Sequence, residues 1–216
     1  MQLTGLFITI EGPDGAGKST QVRLLAAYLQ QQGWPVVLTR EPGGTELAEK
    51  IRGLLLEVSG EPVTPVAEVL LYAASRAQHV EYLIKPALAK GAVVISDRFV
   101  DSSVAYQGYG RGLGAELVWQ INEPALGGLL PHLTIVLDID PEAGLQRLAQ
   151  RSQEHRTGLD RLEREALDFH RRVREGFLQL ARQFPDRVAV LSAAGRVEEV
   201  HQQIIALVSR SLAKKV

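Results

Sequence analysis

The chain has no cysteine, which excludes disulfide bonds, thiol catalysis and a zinc site built on thiolates. Neither sign of charge is in excess, since 24 Lys and Arg residues balance 25 Asp and Glu residues and the formal net charge is −1 at pH 7. Such a balance offers no basic surface for nucleic acid or an anionic membrane. No segment approaches the roughly 20 apolar residues of a membrane helix, and the N-terminal MQLTGLFITI lacks the basic flank of a signal peptide. We therefore expect a cytoplasmic protein that binds neither nucleic acid nor a membrane.

What the chain does contain is a regular alternation of short apolar runs and longer helical patterns. The runs are apolar throughout, as in strands buried on both faces. They are LFITI (6–10), VVLT (36–39), AVVIS (92–96), LTIVLDI (133–139) and RVAVL (187–191). The first helical pattern has Val22, Leu25 and Leu29 on one face and stops at Gly33. Others lie near 45–57, 66–90, 113–126, 141–151, 161–184 and 197–210.

This alternation predicts an α/β fold: a three-layer α/β/α sandwich around a five-stranded parallel sheet, because parallel strands need right-handed crossovers. No linker, repeat or low-complexity stretch interrupts it, so residues 1–216 are expected to form a single domain. Ligands of such sheets bind beyond the carboxyl ends of the strands. The loops GPDGAGKS, REPGGT and DRFVDSS follow the first three strands and should face a common crevice.

The first of these loops matches the phosphate-binding pattern G-x-x-x-x-G-K-[ST] between a strand and an amphipathic helix. Its backbone amides can wrap a phosphate, and the helix that follows points its positive end at the anion. Lys18 is expected to span the β and γ phosphates, and the Ser19 hydroxyl to bind Mg²⁺. An ordinary glycine-rich turn is the alternative reading. The expected nucleotide contacts are Gly12, Pro13, Asp14, Gly15, Ala16, Gly17, Lys18, Ser19 and Thr20.

A phosphate loop alone does not distinguish classes of nucleotide-binding protein. A GTPase switch should carry the guanine-reading N/T-K-x-D after a strand, and this sequence has none. A kinase for a small acceptor needs a second anion site close to the first. A nucleotide-dependent switch or binding module without turnover, and a kinase for another pyrimidine nucleotide or a deoxynucleoside, are the alternatives.

Candidates for the second anion site are arginines. Arg40 follows the second strand, Arg98 follows the third, and Arg76 lies on a helix one turn after Tyr72, on the same face. An aromatic ring can stack on a base while an arginine reads a base edge or a phosphate. Each arginine taken singly is more often a solvated surface charge, but their common placement favours a site.

Five stretches together resemble the bacterial thymidylate kinase family, with an arginine-rich lid. They are EGPDGAGKST, TREPGGTELAEKIR, LLYAASRAQH, SDRFVDSSVAYQGYGRG and LDRLEREALDFHRRVREGF, and they extend over nearly the whole chain. The resemblance implies the P-loop nucleoside monophosphate kinase architecture and a homodimer. It also implies the reaction of ATP with dTMP to give ADP and dTDP in dTTP biosynthesis, with Mg²⁺.

The resemblance also implies contacts to dTMP. Arg40 would hold its phosphate, with Arg52 nearby, and Pro42 would lie in a bend that often contains a cis peptide. Tyr72 would stack on thymine and Arg76 would donate to thymine O4. Ser103 and Gln107 would complete recognition of the base.

The Asp-Arg pair after the third strand carries the implied catalytic roles. Arg98 would bridge the donor and acceptor phosphates and offset their repulsion. Asp97 would hold Mg²⁺ through water. Asp138 and Asp140 compete for that metal role, although PEAGLQR after them is typical of a helix start.

A lid is expected at 147–161, where a solvated charged loop is the alternative description. Some family members carry arginine directly after the acid of the phosphate loop, whereas this chain has Gly15. The missing charge should come from the lid, with Arg156 favoured over Arg151 and Arg161. Adenine is expected between Arg147 and the loop at 192–195.

Two carboxylates remain at the phosphate loop. The resemblance implies that Asp14 accepts a hydrogen bond from the 3′-hydroxyl of the acceptor sugar. Glu11, at the strand end, is expected to be structural.

Overall fold

The computed structural model describes residues 3–58, 61–155 and 158–213. Five parallel strands form one sheet in the order β2-β3-β1-β4-β5. Their bounds are β1 Leu6–Glu11, β2 Val36–Arg40, β3 Val93–Asp97, β4 Leu133–Asp138 and β5 Val188–Ser192. The predicted strands are confirmed to within one residue at each end.

Helices cover both faces of the sheet. They are α1 Lys18–Gln31, α2 Glu46–Leu56, α3 Pro65–His79, α4 Lys85–Ala89, α5 Val100–Ser103, α6 Ala115–Leu126, α7 Pro141–His155, α8 Leu167–Gln183 and α9 Val197–Ala213. Wider π-helical turns, Val80–Ile84 and Val104–Gly110, continue α3 and α5. Leu25 of α1 and Ile204 of α9 pack with Ile8 on one face, while Phe7 packs with Leu88 on the other. The three-layer sandwich is therefore confirmed.

Three expectations about local structure were wrong. The helix expected over 141–151 continues to His155, so the first half of the predicted lid is helical. The helix expected from 161 begins at Leu167 after a turn. The segment after β3, expected as a loop, contains α5 and a π-helical turn. Its glycines give it weak helical propensity, and packing of Val104 and Tyr106 against Phe169 and Phe177 of α8 stabilises it.

The strand ends deliver the predicted site residues to one edge of the sheet. Arg40 is paired with Asp97 in the register of β2 and β3, and Ile10 with Asp97 in that of β1 and β3. Arg98, directly after β3, has a backbone φ of 72°. A positive φ is uncommon for a residue other than glycine and occurs where surrounding contacts hold the chain. The Glu41–Pro42 peptide bond is cis.

Candidate active site

Two cavities lie side by side beyond the carboxyl ends of β1, β2 and β3. The first, which we call the helix cavity, opens between α2, α3 and α5. The predicted residues that line it are Asp14, Arg52, Tyr72, Arg76, Arg98, Ser103 and Gln107. The structure thus brings together the side chains expected to bind a base, and Arg52, at the end where the two cavities adjoin.

The second, which we call the loop cavity, lies over the phosphate loop and reaches α7. The predicted residues that line it are Asp14, Gly15, Gly17, Lys18, Ser19, Thr20, Arg40, Arg52, Asp97, Arg98 and Arg147. Gly12, Pro13 and Ala16 lie behind this lining, within the same loop. Asp14, Arg52 and Arg98 line both cavities, so the two spaces adjoin at these side chains.

The phosphate loop presents backbone amides and one buried ammonium group. Gly17 caps α1 with a φ of 87°, a left-handed conformation that glycine adopts without strain. Since the first amides of a helix have no intrahelical partners, this end of α1 suits an anion. Lys18 is 7% exposed, and its Nζ donates to the carbonyls of Gly12 (2.9 Å) and Pro13 (2.7 Å). Burial, and next the charge of Arg98, lower the pKa of Lys18 to about 8.

The proposed metal ligands are already in contact. Ser19 Oγ donates to Asp97 Oδ2 at 2.6 Å at the floor of the loop cavity. The competing acids have other partners: Asp138 forms two hydrogen bonds with Arg174 (2.7 and 2.8 Å), and Asp140 caps α7 through the amides of Glu142 and Ala143. Hydroxyl and carboxylate oxygens are the donors that Mg²⁺ prefers, and this pair is the one that faces the phosphate loop.

Asp14 lies at the junction of the cavities in a network of polar contacts. It forms an ion pair with Arg98 and accepts a hydrogen bond from Tyr106 Oη at 2.6 Å. Burial favours its neutral form, but Arg98, then Lys18, hold the pKa of Asp14 below its usual range. Arg98 also stacks over the Tyr106 ring at 4.8 Å and donates to Ser102 Oγ at 3.1 Å. A charged acceptor therefore stands beside an arginine that is fixed on several sides.

Glu11 supports this network from beneath. Its carboxylate is buried and accepts hydrogen bonds from the Phe99 amide (2.6 Å) and Ser102 Oγ (2.5 Å). Burial, and next the charge of Asp101, raise the pKa of Glu11 to about 8. Glu11 thus holds the backbone on the far side of Arg98 and lines neither cavity, in keeping with the structural role expected for it.

Arg52 lies where the cavities meet, and Arg40 lines the loop cavity. Arg40 Nη2 donates to both carboxylate oxygens of Glu49 (2.9 and 2.8 Å), and Glu49 also accepts from the Gly44 amide. Arg52 donates to the Pro42 carbonyl at 3.0 Å. Burial, and next the charge of Arg40, lower the pKa of Arg52. Glu49 offsets part of the repulsion between the two arginines, and their combined positive charge suits a further anion.

Arg76 is buried beneath the helix cavity with three partners in the protein. It is 1% exposed and donates to Glu41 Oε2 (2.9 Å), Ser103 Oγ (3.0 Å) and the Asn122 side chain. Glu41 is also bonded to His79 Nδ1 at 3.0 Å. The predicted base-reading arginine is therefore part of a buried ionic network as well as of the cavity wall.

The described arginines of the predicted lid have contacts in different parts of the site. Arg147 Nη1 donates to the Ala193 carbonyl at 3.2 Å, which joins α7 to the loop at 192–195. Arg151 lines the loop cavity and donates to Glu163 Oε1 at 2.8 Å. Arg161 is held away by Glu68 (2.6 Å) and the Leu55 carbonyl (3.0 Å). Arg156, the favoured charge donor, lies outside the described residues.

The start of α7 packs directly on the phosphate loop. A Cβ built on Gly15, whose φ is +77°, would lie 2.2 Å from the Gly144 carbonyl oxygen. In return, a Cβ built on Gly144 would lie 2.4 Å from the Asp14 carbonyl oxygen. The two backbones are in contact at a distance that only glycine allows on both sides.

Several lining residues were missed by sequence reasoning. Tyr106 and Phe99 form part of the helix cavity wall, and Glu41 and Asp160 line both cavities. Tyr106 stands beside Gln107 in the YQG stretch, a signal that could have identified it. Glu41 is held in the cavity wall by tertiary contacts with His79 and Arg76, and no local sequence pattern indicates that position.

Comparisons with known proteins agree with this geometry. The family model described as thymidylate kinase matches residues 10–204. A thymidylate kinase of Symbiobacterium thermophilum is 51% identical over 212 residues, covering 97% of this chain and 95% of the relative. One from a Synechococcus species is 53% identical over 207 residues, covering 96% and 97%. The crystal structure of thymidylate kinase from Ehrlichia chaffeensis superposes with a TM-score of 0.76 at 36% identity, covering 95% of this chain and 98% of that one. The chain therefore belongs to the thymidylate kinase family.

Proposed function

We infer that this protein is a thymidylate kinase, which transfers the γ-phosphate of ATP to dTMP and produces dTDP and ADP. The observation that carries the inference is the meeting of two cavities at Asp14 and Arg98, one over a phosphate loop and one walled by Tyr72, Arg76 and Gln107. A kinase needs its donor and acceptor phosphates within reach of one another. We treat residues 1–216 as one catalytic domain with a lid at about 147–161.

ATP is the donor, and we assign its phosphates to the loop cavity. Lys18 and the amides at the start of α1 would hold the β and γ phosphates, with Thr20 alongside. Ser19 and Asp97 would hold Mg²⁺, which when bound neutralises charge on those phosphates. Arg147 and the loop at 192–195 would flank adenine, an assignment supported by the hydrogen bond that joins them.

dTMP is the acceptor, and we assign it to the helix cavity. Tyr72 would cover the face of the base, while Arg76, Ser103 and Gln107 would meet its polar edges. Arg40 and Arg52 would bind its phosphate at the end where the cavities adjoin. A carboxylate at Asp14, whose low pKa keeps it charged, would accept from the 3′-hydroxyl.

Transfer needs positive charge on the moving group, because phosphoryl transfer relies on positioning and electrostatic stabilisation. Arg98 would supply it from the protein core, since its side chain lines both cavities. We propose Arg156 as the lid contribution. Arg151 is the alternative that the loop cavity supports, because it lines that cavity while Arg161 is bonded to Glu68.

A coupled assay of ADP release with Mg-ATP and either dTMP, dUMP, dCMP or thymidine tests the function. We expect the highest kcat/KM with dTMP. Preference for another pyrimidine nucleotide or for thymidine would indicate a related kinase, and nucleotide binding without turnover of any acceptor would indicate a switch or binding module. Absence of turnover with dTMP would overturn the proposal.

The Asp14→Asn variant is expected to raise KM for dTMP at least about tenfold, equivalent to about 1.4 kcal/mol. Asparagine keeps the size of the side chain but loses the charge that accepts from a hydroxyl and pairs with Arg98. KM for ATP should change by less than about threefold, because the donor phosphates bind to amides and Lys18. Steady-state kinetics with each substrate varied in turn measure the split.

The matched control is Asp138→Asn, because that carboxylate also pairs with an arginine, Arg174, but lines neither described cavity. It should leave both KM values near those of the unchanged protein. Equal losses for dTMP and ATP in Asp14→Asn would contradict the assignment of this residue to the acceptor.

Nucleotide binding is expected to take up a proton above pH 8. The pKa of Lys18 is lowered to about 8 in the free protein, and nearby phosphates favour its charged form and raise that pKa again. At a pH between those two pKa values the nucleotide complex holds one more proton than the free protein. The affinity for nucleotide therefore falls as the pH rises. Calorimetry of ADP binding at pH 9 in buffers of different ionisation enthalpy should report the uptake, whereas at pH 7 Lys18 is already charged and contributes none. Buffer-independent heats at pH 9 would contradict the assignment.

We also propose that the protein forms a homodimer. Leu47 and Leu54 on α2, and Val66 and Leu70 on α3, are large apolar side chains exposed to solvent on neighbouring helices. Apolar patches of this kind on adjacent elements mark protein contacts, and a twofold axis lets one patch bind its own copy. Light scattering on the purified protein measures the mass in solution.

None of the helices within the described residues combines the length and the apolar character that crossing a membrane requires.

A further inference from the structure

The side-chain amide of Gln107 is only half satisfied by the protein. Gln107 is 1% exposed, lines the helix cavity, and its Nε2 donates to Glu68 Oε1 at 2.7 Å. Its Oε1 is buried and has no hydrogen-bond partner within the part of the chain that the structure describes. A buried carbonyl without a partner costs stability, and in a cavity wall it is free to accept from a ligand.

The contact with Glu68 fixes the orientation of the Gln107 amide, so that Nε2 is bonded and Oε1 is not. Glu68 is 0% exposed and lies in the first turn of α3. Its carboxyl group forms ion pairs with Arg111 Nη2 at 3.1 Å and with Arg161 Nη1 at 2.6 Å. A guanidinium group only donates hydrogen bonds, so both oxygens of Glu68 act as acceptors. Turning the Gln107 amide over would place its carbonyl oxygen against a carboxylate oxygen, so the NH₂ group must face Glu68.

The orientation of the amide has a consequence for the base. A ring nitrogen that carries hydrogen, as in thymine and uracil, can donate to Gln107 Oε1. The corresponding nitrogen of cytosine is an acceptor, and two acceptors facing one another in a buried site are unfavourable. A fixed Gln107 therefore excludes cytosine through its orientation.

We propose that Glu68 is a positioning residue for base selectivity, which holds Gln107 so that the helix cavity presents an acceptor and favours pyrimidines with a ring N–H over cytosine. The proposal rests on the proposed function, since it concerns the same cavity and acceptor. Glu68 acts through Gln107 and touches no substrate. It also joins the base site to the lid segment, because Arg161 is one of its partners.

The Glu68→Gln variant tests the proposal. A neutral amide at 68 both donates and accepts, so Gln107 can turn either way and present its NH₂ group to cytosine. We expect the ratio of kcat/KM for dTMP to that for dCMP to fall at least about tenfold, through KM, while the ratio for dTMP to dUMP stays within about twofold. A purely structural role would lower activity on all three substrates alike and leave both ratios unchanged.

Two further variants make the test decisive. Glu68→Asp keeps the charge for both arginines but has too short a stem to hold Gln107, so it should show the same fall in selectivity even if Glu68→Gln does not fold. Glu165→Gln removes the other carboxylate of Arg111 without touching Gln107 and should keep the selectivity.

The outcomes distinguish a failure of the role proposed for Glu68 from a failure of the proposed function. An unchanged dTMP to dCMP ratio in the folded Glu68 variants would overturn the role of Glu68 and leave the proposed function standing. Absence of dTMP turnover by the unchanged protein would overturn both.

Discussion

Replacing Arg98 with alanine is expected to lower kcat/KM for dTMP by about a thousandfold, the scale at which a single arginine acts in phosphoryl transfer. Arg98 lines both cavities, and its guanidinium is held by Asp14, Ser102 and Tyr106. Burial disfavours its charge, but Tyr106 and then Asp14 more than compensate and raise the pKa of Arg98 well above its ordinary value. The group therefore stays charged and preoriented where the two cavities meet, and alanine removes both properties.

The Arg98→Lys variant separates charge from geometry. Lysine restores a positive charge but cannot form the planar fork that contacts several partners at once, so we expect only part of the activity to return. Arg182→Ala removes an exposed arginine that pairs with Glu175 and should leave kcat/KM unchanged. Steady-state kinetics, with thermal unfolding to show that each variant is folded, provide the measurement. A fall of less than about tenfold in Arg98→Ala would contradict the proposed role.

The Arg76→Met variant is expected to lower the free energy of unfolding by about 3–5 kcal/mol, the cost of leaving a buried charge without its partner. Glu41 would keep only His79 in a region where both side chains are almost fully buried. Methionine is similar in length and flexible, so loss of packing volume adds little. Urea unfolding followed by circular dichroism measures the change.

The control for charge is the double variant with Glu41→Gln and Arg76→Met. Because it removes both members of the ion pair, it should recover a large part of the stability lost by Arg76→Met alone. A single variant that loses less than about 1 kcal/mol would show that Glu41 is satisfied without Arg76. The Arg76→Met variant should also bind dTMP weakly, since the guanidinium that it lacks lies in the wall of the helix cavity.

The features that sequence predicted best are those whose physical cause is local. The strands are continuous apolar runs because both faces of the sheet are covered, and that pattern is visible residue by residue. The phosphate loop is specified by glycine conformation and by Lys18, which lie within eight consecutive positions, 12–19. The crevice follows from the rule that ligands bind at strand ends, so Arg40, Asp97 and Arg98 were placed together correctly.

The features that escaped prediction depend on partners distant in the chain. Arg76 gives no local sign that Glu41, Asn122 and Ser103 surround it, because those residues are brought to it by β2, α6 and α5. Tyr106 lies in a glycine-containing stretch that has little helical propensity, and its helix forms because α8 packs against it. The extent of α7 was underestimated for a related reason: a charged, exposed helix has no apolar period to reveal it.

The contact between Gly15 and Gly144 defines what kind of phosphate loop this chain can have. Any side chain at position 15 would displace the first turn of α7, the helix whose Arg147 and Arg151 line the loop cavity. An arginine in the loop and this placement of α7 are thus alternatives that exclude one another on steric grounds. A single engineered substitution at Gly15 cannot convert one arrangement into the other, because α7 would have to be redesigned at the same time.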